Sequence, residues 1–137
     1  MQNPFAHFYY LANPYRGTEA QQRDRAHAAA LASAALLRNH VPVYSPIVHN
    51  RTIELVGNFT EEETNTLFLP FDLKMLPAAA GLILLQLEGW EKSYGVGKEL
   101  ELCQAQNIPV YPYTLTALLE DTPTLETLKP QEVPLKA

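Results

Sequence analysis

Two carboxylates stand where chemistry can be done. Glu99 follows the segment Gly89-Trp90-Glu91-Lys92-Ser93-Tyr94-Gly95-Val96-Gly97-Lys98, which itself comes after the apolar run Leu82-Ile83-Leu84-Leu85-Gln86-Leu87. A buried strand that ends in a glycine-bearing turn and opens a helix brings small residues and free N–H groups to the carboxyl edge of a sheet, where ligands of open α/β folds bind. Glu99 is expected in the first turn of that helix, whose N-terminus favours an ionised carboxylate fit to act as nucleophile or base. Asp72 joins it if the helix carrying Asp72 begins near the same edge. Two carboxylates with separated pKa values can divide the roles of nucleophile and acid, as in glycosidic cleavage with retention.

Other candidates lie at the ends of the expected strands. At Ser93, Gly95 and Gly97 the backbone can come close to a sugar or phosphate, and the serine hydroxyl with helix-start N–H groups can bind a 5′ oxygen; a tight turn with an N-cap uses the same residues. Asn13, Tyr15 and Arg16 follow the first strand, and arginine suits a bidentate phosphate contact. Tyr10, Tyr15 and Trp90 can stack on a base or close a pocket, although core packing accounts for Tyr10 equally well. His49, just past the second strand, can contact substrate or donate a proton.

Several chemistries are not expected. Gly95-Val96-Gly97-Lys98 lacks the four-residue spacer of a P-loop. His7, His27 and His40 are scattered and Cys103 is the only cysteine, so neither a metal site, an intrachain disulfide nor a bound cofactor is anticipated. Cys103 reads as a small packed hydrophobe. With 10 basic against 15 acidic residues, net −5, the surface is not built to wrap polymeric nucleic acid, whereas a single nucleotide needs only one cation or a helix terminus. There is no signal-like N-terminus and no apolar run of about 20 residues, which makes a cytoplasmic protein without a membrane partner the expectation.

The elements that must position these residues alternate. His7 to Ala12 reads as a strand stopped by Asn13-Pro14, and Thr18 to Asn39 as a long alanine-rich helix. Val41 to Ser45 reads as a second strand, and residues 46 to 66 as the least regular part. Leu67 to Ala80 reads as a helix broken at Pro70 and Pro77, firm around Phe71 to Leu76. Gly81 to Leu87, Tyr94 to Gln106, Ile108 to Tyr111 and Thr114 to Leu119 read as strand, helix, strand and a last helical turn. The pattern predicts a single-domain α/β protein, a Rossmann- or flavodoxin-like three-layer sandwich with a mostly parallel sheet of four to five strands. It occupies residues 1–119, and the proline-rich residues 120–137 form a tail for which no packed ending is expected.

Ser93, Gly95, Val96 and Glu99 resemble the Ser-x-Gly-Val-x-x-Glu segment of the nucleoside 2-deoxyribosyltransferase-like superfamily. Tyr10-Leu11-Ala12-Asn13-Pro14-Tyr15-Arg16-Gly17 is similar to its first strand and ligand-binding turn, and Phe71-Asp72-Leu73-Lys74-Met75-Leu76 to the helix carrying its aspartate. Ser45-Pro46-Ile47-Val48-His49 and Gly89-Trp90 resemble a bacterial and phage branch composed largely of domains of unknown function. That branch is related to 2′-deoxynucleoside 5′-monophosphate N-glycosidases. The likeness spans about residues 8 to 113. It implies N-glycosidic bond cleavage or transfer on a (deoxy)nucleoside or its 5′-monophosphate, with Glu99 as nucleophile forming a glycosyl-enzyme and Asp72 or a water protonating the departing base. It also implies Ser93, Gly95 and Arg16 at a 5′-phosphate, and a homodimer or larger assembly. Where many relatives carry Ala-Asp before the third strand this chain has Ala80-Gly81, so cleavage is implied more directly than transfer. A non-catalytic nucleotide-binding module and an NAD-directed glycohydrolase fit the same fold.

Overall fold

A computed structural model describes residues 6–134. Four strands, β1 (Tyr9–Ala12), β2 (Val43–Tyr44), β3 (Gly81–Leu85) and β4 (Val110–Tyr113), form one all-parallel sheet in the order β2-β1-β3-β4. The fold is the single-domain, three-layer Rossmann-like α/β arrangement anticipated from the alternating elements. Side chains of a strand alternate between faces, and the core divides accordingly. Leu11, Ile83 and Leu85 meet helix α1 (Glu19–Arg38) through Ala28, Ala29, Ala32 and Leu36, together with Leu118 of α6 (Leu115–Glu120). On the other face Tyr10, Ala12, Leu82 and Leu84 meet Val96, Leu100 and Cys103 of α5 (Tyr94–Gln106). All five residues of β3 are buried, as a central parallel strand requires.

The chain leaves β1 toward β2 on one side and reaches β3 on the other, so the strand order reverses between β1 and β3. Crevices for ligands form at the carboxyl ends of strands flanking such a switch point. Asn13 follows β1 there, and Gly89 and Ser93 come after β3.

Three expectations need correction. Residues 46 to 66 are helical rather than irregular: α2 runs Pro46–Gly57 and α3 Glu61–Glu63. Ser45 caps α2 by accepting from the Val48 N–H, Pro46 takes the first helical position, where its missing N–H costs nothing, and Asn58 ends the helix in a left-handed conformation. Thr60 and Glu63 form a reciprocal capping box on α3.

Pro70 does not break its helix. Proline lacks the N–H for the i−4 bond and its ring crowds that carbonyl. Here a widened π-type turn over Thr64–Phe68 precedes it, and α4 (Leu69–Met75) continues the path. Pro77 falls instead in a short 3₁₀ turn, Leu76–Ala78.

The tail is packed. Pro123 is buried, Leu125 and Leu128 lie against the α1 side of the core, and Val133 lies against the α5 side. The Gln131 N–H donates to the Val110 carbonyl at 2.8 Å, and the Asn39 amide to the Thr122 carbonyl at 2.8 Å. Proline content excludes helix here but not docking along an edge strand. Residues 135–137 of the tail lie outside the described residues. None of the described helices is long and apolar enough to cross a membrane.

Candidate active site

The crevice at the switch point is a cavity of about 540 Å³. That size falls within the range of small-molecule sites. The turn Asn13–Arg16 after β1, the start of α2, the widened turn with α4, and the segment Gly89–Gly95 with Glu99 of α5 line it. Asp72 and Glu99 therefore face one space. Both are buried, at 8% and 6% exposure, in contrast to the surface position that a first-turn glutamate would occupy.

Glu99 lies in the second turn of α5, because Ser93 is the N-cap and Tyr94 the first helical residue. It continues the buried stripe of Val96, Leu100 and Cys103 toward the sheet. This corrects the expectation that the helix terminus would favour its ionised form. Burial instead raises the Glu99 carboxyl to about 8, helped by the charge of Asp72 and opposed by a hydrogen bond from the Tyr10 hydroxyl to Oε2. Burial of Tyr10, with the same carboxylate adding to it, pushes the phenol far upward, so Tyr10 stays a donor. Burial also lifts the Cys103 thiol, to about 12, with Glu99 adding to the effect. Cys103 is a packed hydrophobe with no accessible thiolate.

Asp72 stands in the first turn of α4, and its side chain is met by α2. The Asn50 amide donates to Oδ1 at 2.9 Å and to Oδ2 at 3.2 Å. Burial raises Asp72 to about 6, while the Asn50 bond and His49 pull it down. The pair thus holds one proton between roughly pH 6 and pH 8, an interval that belongs to the pair rather than to either residue.

Asn13, Tyr15, Arg16, Ser93 and Gly95 all line the cavity. Arg16 pairs with Glu54 of α2 at 3.3 Å, lies 5.5 Å from the Tyr15 ring centre, and keeps Nη2 buried without a partner. Tyr15 accepts from Arg51 at 2.9 Å. Ser93 caps α5 by accepting from the Val96 N–H at 3.2 Å, so the cap and cavity-lining roles coincide in one residue. A Cβ at Gly95 meets nothing within 4 Å, so the backbone there is open to a ligand.

Tyr10 reaches the site only through Glu99. Trp90 packs with the α5 side of the core, His49 lies outside the lining with its ring 5.7 Å from that of Tyr44, and Gly97 also lies outside it. Gly81, where an aspartate was missed, opens β3 at the sheet end remote from the cavity. A Cβ there would lie 2.6 Å from the Tyr111 ring, so that ring occupies the space.

Other residues that shape the site had no separate sequence signal. Asn50 and Glu54 are the inward positions of α2, spaced i, i+4 on one face; the Ser45-Pro46 start signal was legible, and from it that face could have been drawn. Arg25, in the second turn of α1, ties two loops together by donating to the carbonyls of Arg16 and, at 3.1 Å, Glu88. Lys92 and Phe68 complete the walls. Among the described residues no group of three or more His, Cys, Asp or Glu could hold a metal ion.

Residues 7–115 match the family model described as Domain of unknown function (DUF1937). The chain belongs to that family. No curated protein matches it. The DUF1937 region begins just before β1 and reaches the first residue of α6, so it contains every wall of the cavity and both carboxylates. The packed tail follows it.

Proposed function

We propose that this DUF1937 domain cleaves the N-glycosidic bond of a nucleoside or nucleoside 5′-monophosphate, with Glu99 as nucleophile and Asp72 as acid. One observation supports this reading most: two buried carboxylates, each held by its own donor, line one cavity at the switch point of the sheet. The likeness of the Ser93 to Glu99 segment to the nucleoside 2-deoxyribosyltransferase-like superfamily points the same way.

Attack by a Glu99 oxygen on the anomeric carbon forms a C–O bond as the C–N bond breaks, and its electron pair leaves with the base. The base takes the proton of Asp72. Water then attacks the anomeric carbon, gives its proton to Asp72 and frees the Glu99 carboxylate; a second base in place of water completes a transfer. In the unliganded protein the shared proton resides mainly on Glu99, since burial raises that carboxyl further. Reaction requires the proton on Asp72. The Tyr10 hydrogen bond favours ionised Glu99, and positive charge developing at the anomeric carbon favours it further. Arg16 and the start of α5 supply donors for a 5′ substituent.

Incubation with nucleosides, their 5′-monophosphates and NAD, followed by chromatography for free base, tests the reading. Release should be bell-shaped in pH between about 6 and about 8 and absent in Glu99→Gln. Tight binding of a nucleotide without release of base from any substrate would replace this reading by a binding role.

A further inference from the structure

Asn50 carries a constraint that reaches the surface. Its Nδ2 donates to both oxygens of Asp72, which places Oδ1 on the opposite side, 2.8 Å from Nδ1 of His49. An amide oxygen only accepts, so His49 must donate there from Nδ1. His49 is exposed and lies outside the cavity, whereas Asn50 is buried.

We propose that His49 is a positioning residue for Asp72: by locking the Asn50 amide it denies the Asp72 proton an acceptor at Asn50 and leaves that proton directed into the cavity. With Oδ1 engaged by His49, neutral Asp72 finds only an N–H donor at Asn50. Released from His49, the amide can turn over, present Oδ1 to the Asp72 O–H and hold the proton away from a ligand. The groups that face Asp72 are Asn50 and His49 from α2, Tyr10 from β1, Tyr44 from β2 and Glu99 from α5. Of these, only Asn50 lies at hydrogen-bond distance from Asp72, and its amide changes from donor to acceptor when it turns over. The lock therefore favours ionised Asp72 at equilibrium and aims its proton when it is neutral. The consequence for catalysis rests on the proposed glycosidic reaction; the lock itself does not.

Carbon-13 carboxyl NMR on aspartate-labelled full-length protein tests the lock without any substrate. The sequence has three aspartates, so Asp24 and Asp121 serve as internal controls. His49→Phe keeps a ring beside Tyr44 and removes the donor. It should raise the Asp72 midpoint by roughly half to one pH unit, since the ionised form loses ordered donation and the neutral form gains an acceptor. His49→Gln, which can donate an amide N–H to Oδ1, should restore most of the shift. In an Asn50→Leu background, His49→Phe should change nothing more. An unmoved Asp72 midpoint in folded His49→Phe overturns the proposal, as does an equal shift in the Asn50→Leu background, which would mean that His49 acts by charge alone. If the wild-type protein releases no base from any nucleoside the reaction fails as a reading, and the Asp72 titration still decides the lock.

Discussion

The two walls of the cavity are built differently. The α5 wall is a regular helix capped by Ser93, and its inward stripe of Val96, Leu100 and Cys103 is part of the core; Glu99 belongs to that stripe. The facing wall, α2 through the widened turn to α4, is tied within itself by Asn50 and Asp72 and to the turn after β1 by the polar contacts of Glu54 with Arg16 and Arg51 with Tyr15, and residues 61–67 are mostly exposed. A covalent nucleophile benefits from a position fixed by packing, and a proton donor from tuning by hydrogen bonds. Core-backed segments open only with global unfolding, whereas segments with few buried contacts open locally.

The strongest test of this contrast is to remove each carboxyl function without its volume. If Glu99 is the nucleophile, as proposed, Glu99→Gln should lower base release by about 10³-fold or more. Glutamine is the informative choice, since the buried site would be left with a void by alanine. Full activity in the folded variant would remove Glu99 from the chemistry. Asp72→Asn should slow release by roughly 10²- to 10⁴-fold for bases that must leave protonated, and less for those that leave readily as anions. An equal loss across leaving groups would argue against an acid on this wall.

The carboxyls should also separate in their effect on stability. Glu99 is raised from an ordinary 4.5 to about 8, so below 4.5 both folded and unfolded chains hold the proton. As pH rises from there the unfolded chain ionises first, and the folded state loses stability until about 8, where the loss is complete. Relative to wild type, Glu99→Gln should therefore gain stability across that window, on the order of a few kcal/mol at its top, measured by denaturant unfolding at stepped pH. Asp72→Asn should show the same sign, confined to the lower window between about 3.8 and about 6. Coincident windows would mean that the walls do not differ in the way their carboxyls are buried.

Much of the α5 wall was legible in the residues. The apolar run ending at Leu87, the glycines and Ser93 gave strand, turn and capped helix, and α5 begins and ends where the pattern placed it. What misled was counting Glu99 from the turn rather than along the helix stripe: three and four residues after Val96 come Glu99 and Leu100, both inward. The facing wall was harder. Ser45-Pro46 and Thr60 with Glu63 are start signals, yet a polar sequence with exposed Ile53, Leu55 and Val56 hides its helical face, and no propensity announces a π-type turn. Proline content likewise concealed the docking of Leu125, Leu128 and Val133.

That tail provides a further test, because its end backs the α5 wall and not the other. Ending the chain after Asp121 removes the packing of two leucines and Val133, and should lower stability by roughly 2 to 4 kcal/mol, given that these side chains are only partly buried. Amide exchange should quicken around Leu100 and Cys103 while Asp72 and Asn50 keep their protection relative to the global value. An unchanged melting temperature would show that the docked tail contributes nothing.

The smallest effect discriminates most finely, since the same kind of cap closes the helix start on each wall. Ser93 accepts from the Val96 N–H at 3.2 Å, and Thr60 from the Glu63 N–H at 3.1 Å. Either change to alanine removes one N-cap bond, a loss of ~1 kcal/mol for the helix concerned. On the α5 wall that helix unfolds with the core, so Ser93→Ala should move the global denaturant midpoint by the full amount. Residues 61–68 can open while the sheet stays intact, so Thr60→Ala should barely move the midpoint and should instead speed amide exchange from Thr64 to Phe68 several-fold. The Thr66 hydroxyl, bonded to the Glu62 carbonyl at 2.9 Å, lies in the same unit and should share that loosening. Equal midpoint shifts for both variants, with no selective exchange at 64–68, would show that the two walls unfold as one and that the contrast between them is only one of composition.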